Sequence, residues 1–359
     1  MFFNIDKDEG HAIFGWIAPD NPAGAPRVVI VIPGRNEITM EADLARPDVR
    51  DLGIHNTGHV GFRVDERTVP DLAALAEIEI LESETRLPIF RRFVPDQHIR
   101  RKTFLFDSAV MPQRSILQNV SQHFSLAYPA AERFPLETMI VLINNHSCDS
   151  IVFSGRSNYN RYVTFLETND YFRAAMLRDP FEELAERLLF LSLLAKPDWS
   201  HLVGLYATGL APLVEFARDL PFNNPKGLLT AFRTLTDEQR VAIQSPMVRM
   251  FGCSLEDTPT HHHVSLALDH LASLDLVGTR SRYAAFRAML AQLLKTDILG
   301  PDEPASFQTV AVLAESLSRI GIVADLLEHD VALYGLADEA IAAGLEGRDS
   351  FAGRDTQTI

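Results

Sequence analysis

The sequence predicts two domains: a small all-β sandwich, then an α/β domain with a helical C-terminal part. Three observations carry this. Short β-like segments punctuated by Pro, Gly and Asn fill residues 1–95. From about Thr103, short apolar runs suited to buried parallel strands alternate with helical segments. After Leu188 the helical pattern dominates. The predicted boundary divides residues 1–95 from residues 96–359.

In the first domain the strand candidates are HAIFGWIAP (11–19), RVVIVIP (27–33), HVGFRVD (59–65) and AEIEILES (76–83). Ile78 and Ile80 alternate with Glu77, Glu79 and Glu82, as a half-buried antiparallel strand requires. Asp6-Lys7-Asp8 has a metal-binding D-x-D form, but it precedes the first predicted strand and reads as a turn. The polar, basic stretch Arg91–Lys102 reads as a linker.

In the second domain TFLF (103–106), ETMIVLI (137–143), SIVFS (150–154) and FRAAML (172–177) are the strand candidates. Phe181, Leu184, Leu188, Leu191 and Ala195 share one helical face, with Glu182, Glu183, Glu186 and Arg187 off it. Residues 204–218, 227–244, 263–274, 281–295, 307–319 and 335–345 also pattern as helix. Within AAMLRDPFEELAER (174–187), a strand ends in Arg178-Asp179-Pro180 and a helix opens. An Arg fork beside a helix N-terminus is a place for a phosphate.

Composition bounds the partners. Lys and Arg total 33 against 48 Asp and Glu, a net charge of −15. That argues against a nonspecific binder of nucleic acid or of an anionic membrane. No apolar run has membrane-spanning length, and the N-terminus lacks the pattern of a signal peptide. Cys148 and Cys253 make neither a disulfide framework nor a zinc set, so the expected setting is the cytoplasm. His261-His262-His263 follows Pro259-Thr260. Three consecutive helical side chains point about 100° apart, so the run predicts a solvated helix start and no metal site. His146 and Cys148 have no second pair. Trp16 and Trp199 are candidates for sugar stacking, with core packing the alternative.

Four segments carry a resemblance: TFLFDSAVMPQRSILQNVSQHF (103–124), IVFSGRSNY (151–159), MLRDPFEELAERL (176–188), and 245–294 with SPMVRMFGCS and LDHLASLDLVGTRSRYAAFRAMLAQLL. In order and type they resemble the sulfotransferases that modify glycans using PAPS (3′-phosphoadenosine-5′-phosphosulfate). The resemblance implies a three-layer, P-loop-like α/β fold, PAPS as cofactor, and a hydroxyl of a bacterial glycan as acceptor. Gly15-Trp16, Arg46–Val49 and Gly61-Phe62 are similar to a module found beside bacterial glycan-modifying domains.

Carried over, the resemblance implies donor contacts from Gln113, Arg114, Ser115 and Arg178. Arg114 and Arg156 are the candidate catalytic residues, and Arg249 matches a family arginine. Several positions are altered. The loop's Pro falls on Ala109, its Lys on Val110, its Gly on Gln113 and its two Thr on Arg114 and Ser115. The Gly-His falls on Gly155-Arg156, the 3′-phosphate Ser on Glu186, and a Glu on Ser281. The loops G-x-x-x-x-G-K-[ST] and G-x-G-x-x-G are absent. These changes predict a degenerate donor site.

Three functions follow: a PAPS-dependent sulfotransferase with Arg114 replacing the Lys; a catalytically inactive protein of the same fold that binds a saccharide or a protein; and a transferase using another anionic donor. Convergence of Arg114, Arg156 and Arg178 on one pocket favours the first or third. A site filled by Gln113 and Glu186, with Arg178 paired to carboxylates, favours the second.

Overall fold

A computed structural model describes the backbone through residue 352 and side-chain surroundings through residue 346. Residues 353–359 of the predicted second domain lie outside the described residues. The turn-punctuated N-terminal segments form β1 (Phe2–Asp8), β2 (Ala12–Ala18), β3 (Arg27–Val31), β4 (Ile38–Glu41), β5 (Leu44–Ala45), the short helix α1 (Pro47–Asp51), β6 (His59–Asp65), β7 (Glu79–Glu82) and β8 (Pro88–Arg91). They build two four-stranded antiparallel sheets, ordered β1-β2-β6-β5 and β4-β3-β7-β8. Ile13, Ile17, Phe62 and Val64 from the first sheet and Val28, Ile30, Ile80 and Ile89 from the second meet in one apolar cluster.

The D-x-D run lies inside β1, not in a turn before it. Phe3 and Ile5 are buried and the charged residues face out, so alternation there was legible but masked by the charged end. Asp6 and Asp8 are fasteners: Arg46 donates to Asp6 at 2.6 Å, and Arg92 donates to both Asp8 oxygens at 2.8 and 2.9 Å. Trp16 is half-buried with the Arg46 guanidinium over its ring at 5.8 Å, while Trp199 is exposed.

The second part continues as β9 (Lys102–Asp107), α2 (Arg114–Gln122), β10 (Leu126–Pro129), α3 (Leu136–Ile143), β11 (Ile151–Gly155), α4 (Tyr159–Thr168), β12 (Phe172–Leu177) and α5 (Pro180–Leu194). Short helices α6 (Val203–Tyr206), α7 (Ala211–Arg218), α8 (Pro225–Arg233), α9 (Asp237–Ile243) and α10 (Pro246–Phe251) follow. The chain ends with α11 (His261–Ala272), β13 (Leu276–Thr279), α12 (Tyr283–Leu294), α13 (Val310–Ser318) and α14 (Gly321–Ala352). Five strands pair in parallel in the order β10-β11-β9-β12-β13. The fold class is therefore mixed α/β, with antiparallel sheets ahead of a parallel one.

One expected strand is a helix. ETMIVLI forms most of α3, and the strand is the unpredicted LAYP of β10. A short apolar run fits a buried helix as well as a buried strand. Pro135 at the N-cap and Glu137 in the first turn are the helix-start signals that decide it.

Alternate residues of each parallel strand bury against opposite layers. Phe104, Phe106 and Phe153 stack with centroids 4.2 and 5.4 Å apart and join Tyr159 and Leu166 of α4 and Phe251 of α10. Val152, Phe172 and Ala174 face Ile116 and Val120 of α2 and Phe286 of α12. Helix α5 is enclosed more fully than its predicted single face. Glu183, Glu186 and Arg187 are each 1–2% exposed, their charges offset within the protein. His261–His263 opens α11, where the Thr260 amide donates to His263 Nδ1 at 3.2 Å.

Helices α10 and α11 meet through Gly252, where an added Cβ would run into the His263 carbonyl. Gly252→Ala therefore forces the two helices apart. The expected loss is about 1–3 kcal/mol from overpacking. It should appear as a lower urea midpoint with an unchanged m-value.

Candidate functional site

In a parallel sheet the functional crevice lies at the strands' carboxyl ends, where neighbouring connections leave in opposite directions. Here β9 connects toward β10 and β12 toward β13, so the crevice lies between Asp107 and Arg178. Charged side chains of the protein fill it. Arg178 Nη2 donates to Glu186 Oε2, and Arg280 Nη1 donates to the same oxygen at 3.3 Å. Arg178 is 4% exposed and Glu186 1%.

Burial pushes the Asp107 carboxyl above the usual range, against the pull of Arg178 and the Ala109 amide. Burial would lower the Arg178 guanidinium, but the charges of Asp107, Glu186 and Glu183 outweigh it and hold it above its ordinary value. The α5 N-terminus is capped from within: Asp179 Oδ1 accepts the Phe181 and Glu182 amides, both at 3.0 Å. Pro180 opens that helix as the sequence predicts.

The other predicted residues have other partners, although Gln113 shares the Ala305 carbonyl with Arg280. Gln113 is buried and clamps the chain at Ala305, accepting its amide at 2.6 Å and donating to its carbonyl at 3.2 Å. Arg114 and Ser115 open α2 and are exposed. Arg156 donates through Nε and Nη2 to Glu132 Oε1 at 3.2 and 3.1 Å, and its amide donates to Glu132 Oε2 at 3.0 Å. Burial pushes its guanidinium down despite Glu132. Gly155, at φ +136°, makes this pairing possible, because a Cβ there would strike the Glu132 carboxylate. Arg114, Arg156 and Arg178 thus occupy three different surroundings.

Two hollows flank these residues. One, of about 330 Å³, lies between the sheet and helices α2 and α12, with mostly apolar walls. Arg114 and Arg133 also line it. So does Tyr283, whose buried hydroxyl has no hydrogen-bond partner among the described residues. Burial pushes that phenol up to about 12.

The second is a cleft of about 610 Å³ whose mostly apolar wall also carries Ser108, Arg156, Ser157, Arg187 and Arg249, with Asp237 and Glu238 exposed at its edge. The Ser108 and Ser157 hydroxyls are buried without a partner among the described residues. Arg187 pairs with Glu183 at 2.7 Å. Among the described residues Arg249 donates only to uncharged oxygens: the Gln244 carbonyl at 3.1 Å, the Gln244 side chain at 3.2 Å and the Asp257 carbonyl at 3.0 Å. Buried hydroxyls beside an arginine without a carboxylate partner suit a ligand rich in oxygen acceptors and donors.

Sequence reasoning missed Ser108, Ser157, Tyr283 and Arg280. Lone serines and tyrosines give no spacing signal, and Arg280 reaches Glu186 across 94 residues. Among the described residues no group of three or more His, Cys, Asp or Glu is placed to hold a metal. No described helix is long and apolar enough to cross a membrane. No protein-family model matches this chain, and no curated protein matches it.

Proposed function

We propose that this chain is a catalytically inactive protein of sulfotransferase fold, with an N-terminal sandwich module, that binds a saccharide in the 610 Å³ cleft. The observation that carries the reading is the closure of the crevice by Arg178, Glu186 and Arg280. The resemblance assigns Arg178 and the Glu186 position to the 3′-phosphate of PAPS. Arg178 already bonds a buried glutamate, and an incoming phosphate would have to compete with that carboxylate for the arginine. Gln113 is likewise committed to Ala305. These residues do not fit PAPS.

The saccharide half of the reading rests on the cleft. Sugar hydroxyls can both donate to and accept from the Ser108 and Ser157 hydroxyls, which the protein leaves unpaired. Arg249 adds a positive charge for a carboxylate or sulfate on the glycan. Titration calorimetry of the full chain with adenosine 3′,5′-bisphosphate tests the first half. The expected result is no binding at millimolar nucleotide. Micromolar binding that Arg178→Ala abolishes would overturn the reading and restore sulfate transfer.

A further inference from the structure

The apolar hollow shares no lining residue with the cleft, and its shape and chemistry call for a different ligand. Protein interiors are packed to crystal-like density and leave few voids larger than a water. Here a hollow of about 330 Å³ opens within the layer between the sheet and α2 and α12. That volume falls at the lower end of small-molecule sites, which span about 300–1,000 Å³. Leu105, Met176 and Ala174 of the strands face Ile116, Val120 and Phe286 of the helices across it. Such a wall offers dispersion contacts and little hydrogen bonding, so it stays dry or takes an apolar molecule.

Its polar groups come from one end. Tyr283 follows β13, Arg114 follows β9 and Arg133 follows β10, all at the carboxyl edge of the sheet. Tyr283 lines the hollow and is 4% exposed, and its buried hydroxyl has no partner among the described residues. Arg114 has no ion pair among the described residues, and Arg133 donates only to the Ala130 and Pro129 carbonyls, at 3.4 and 3.1 Å. The acidic groups on the same wall are engaged: Glu132 with Arg156, and Asp107 with the Ala109 amide and the charge of Arg178. The edge therefore carries two available positive charges and one hydroxyl. Below it the wall is hydrocarbon.

We propose that this hollow is a binding site for a single-chain amphiphile of the fatty-acid class, its tail between the sheet and α2 and its carboxylate at Tyr283, Arg114 and Arg133. The tail restores the contacts that the void forfeits. The carboxylate accepts from Tyr283 and meets the arginine charge. A nucleotide base fits the wall less well, because it would bury several ring donors and acceptors against hydrocarbon.

The test uses the delipidated full chain and displacement of a fluorescent probe, 11-(dansylamino)undecanoic acid, by dodecanoate. Micromolar displacement is expected. Dodecanol, with the same tail and no charge, should bind at least tenfold more weakly. Ala174→Leu fills the hollow and should lower dodecanoate affinity at least tenfold. Tyr283→Phe keeps the shape and should weaken dodecanoate about tenfold, with a melting temperature equal to or above that of the wild type. Where Ala174→Leu fails to fold, Tyr283→Phe decides. Absence of dodecanoate displacement, equal affinity in Tyr283→Phe, or equal affinity for dodecanol overturns the proposal. None of these outcomes depends on the cleft or on nucleotide binding.

Discussion

Arg178→Met should lower the unfolding free energy by about 3–5 kcal/mol, the cost of leaving a buried charge without its partner. Glu186 is 1% exposed, and its Oε1 already lacks a hydrogen bond among the described residues. Without Arg178 its other oxygen keeps only the 3.3 Å contact from Arg280 among the described residues, and Asp107 loses its strongest compensating charge. The double variant Arg178→Met/Glu186→Met should recover at least half of the loss, since apolar side chains of similar volume often replace a buried ion pair at little cost. Urea unfolding of the two variants and the wild type measures both quantities. The result also bears on function. A fork kept ready for a phosphate is removed cheaply from the free protein, and the damage then falls on ligand affinity. A fork that serves the fold shows the damage in stability. A loss under about 1 kcal/mol in the single variant would therefore remove the main support for an inactive donor site.

The chemistry of this crevice was half legible in the sequence. Asp179-Pro180 announced a helix start, and a carboxylate at Glu186 stood out because it would repel a phosphate unless a cation intervened. Arg178 and Arg280 both bond that carboxylate, so a phosphate would compete with it for their charge. Arg178 comes from the same segment, whereas Arg280 comes from the end of the sheet's far strand, a pairing that no local pattern encodes. The same division holds for the fold. Turn residues and period-two alternation located four of the eight N-terminal strands, because each depends on neighbours in sequence. The α3 segment was misread because periodicity fails on a continuous apolar run and only its Pro135 and Glu137 start signals remain. The hollows were invisible. A void is an absence of packing between Ala174, Ile116 and Phe286, residues that taken singly look like core.

Raising the pH from 5 to 8 should cost the wild type about 2–3 kcal/mol more stability than it costs Asp330→Asn. Asp330 lies on α14, is 1% exposed, and accepts the Met247 and Val248 amides at 3.0 and 2.8 Å. Burial raises its carboxyl from the ordinary 3.8 to about 7, and those two amides pull against that shift without overcoming it. Between these values the folded chain keeps a proton that the unfolded chain has lost. The contribution is therefore complete below about pH 4 and is lost as the pH rises through 7. Asparagine keeps the shape and never ionises, so its profile lacks this component. Groups common to both proteins, including Asp107, largely cancel in the difference. Unfolding by urea at each pH supplies the measurement, and parallel profiles would show that Asp330 ionises normally. The consequence reaches the cleft through α10. Asp330 holds the first turn of that helix, and Arg249 stands on the same helix facing the cleft. An ionised Asp330 places a negative charge near Arg249, so binding of an anionic ligand that depends on Arg249 should weaken over the same pH range, and Asp330→Asn should flatten that dependence.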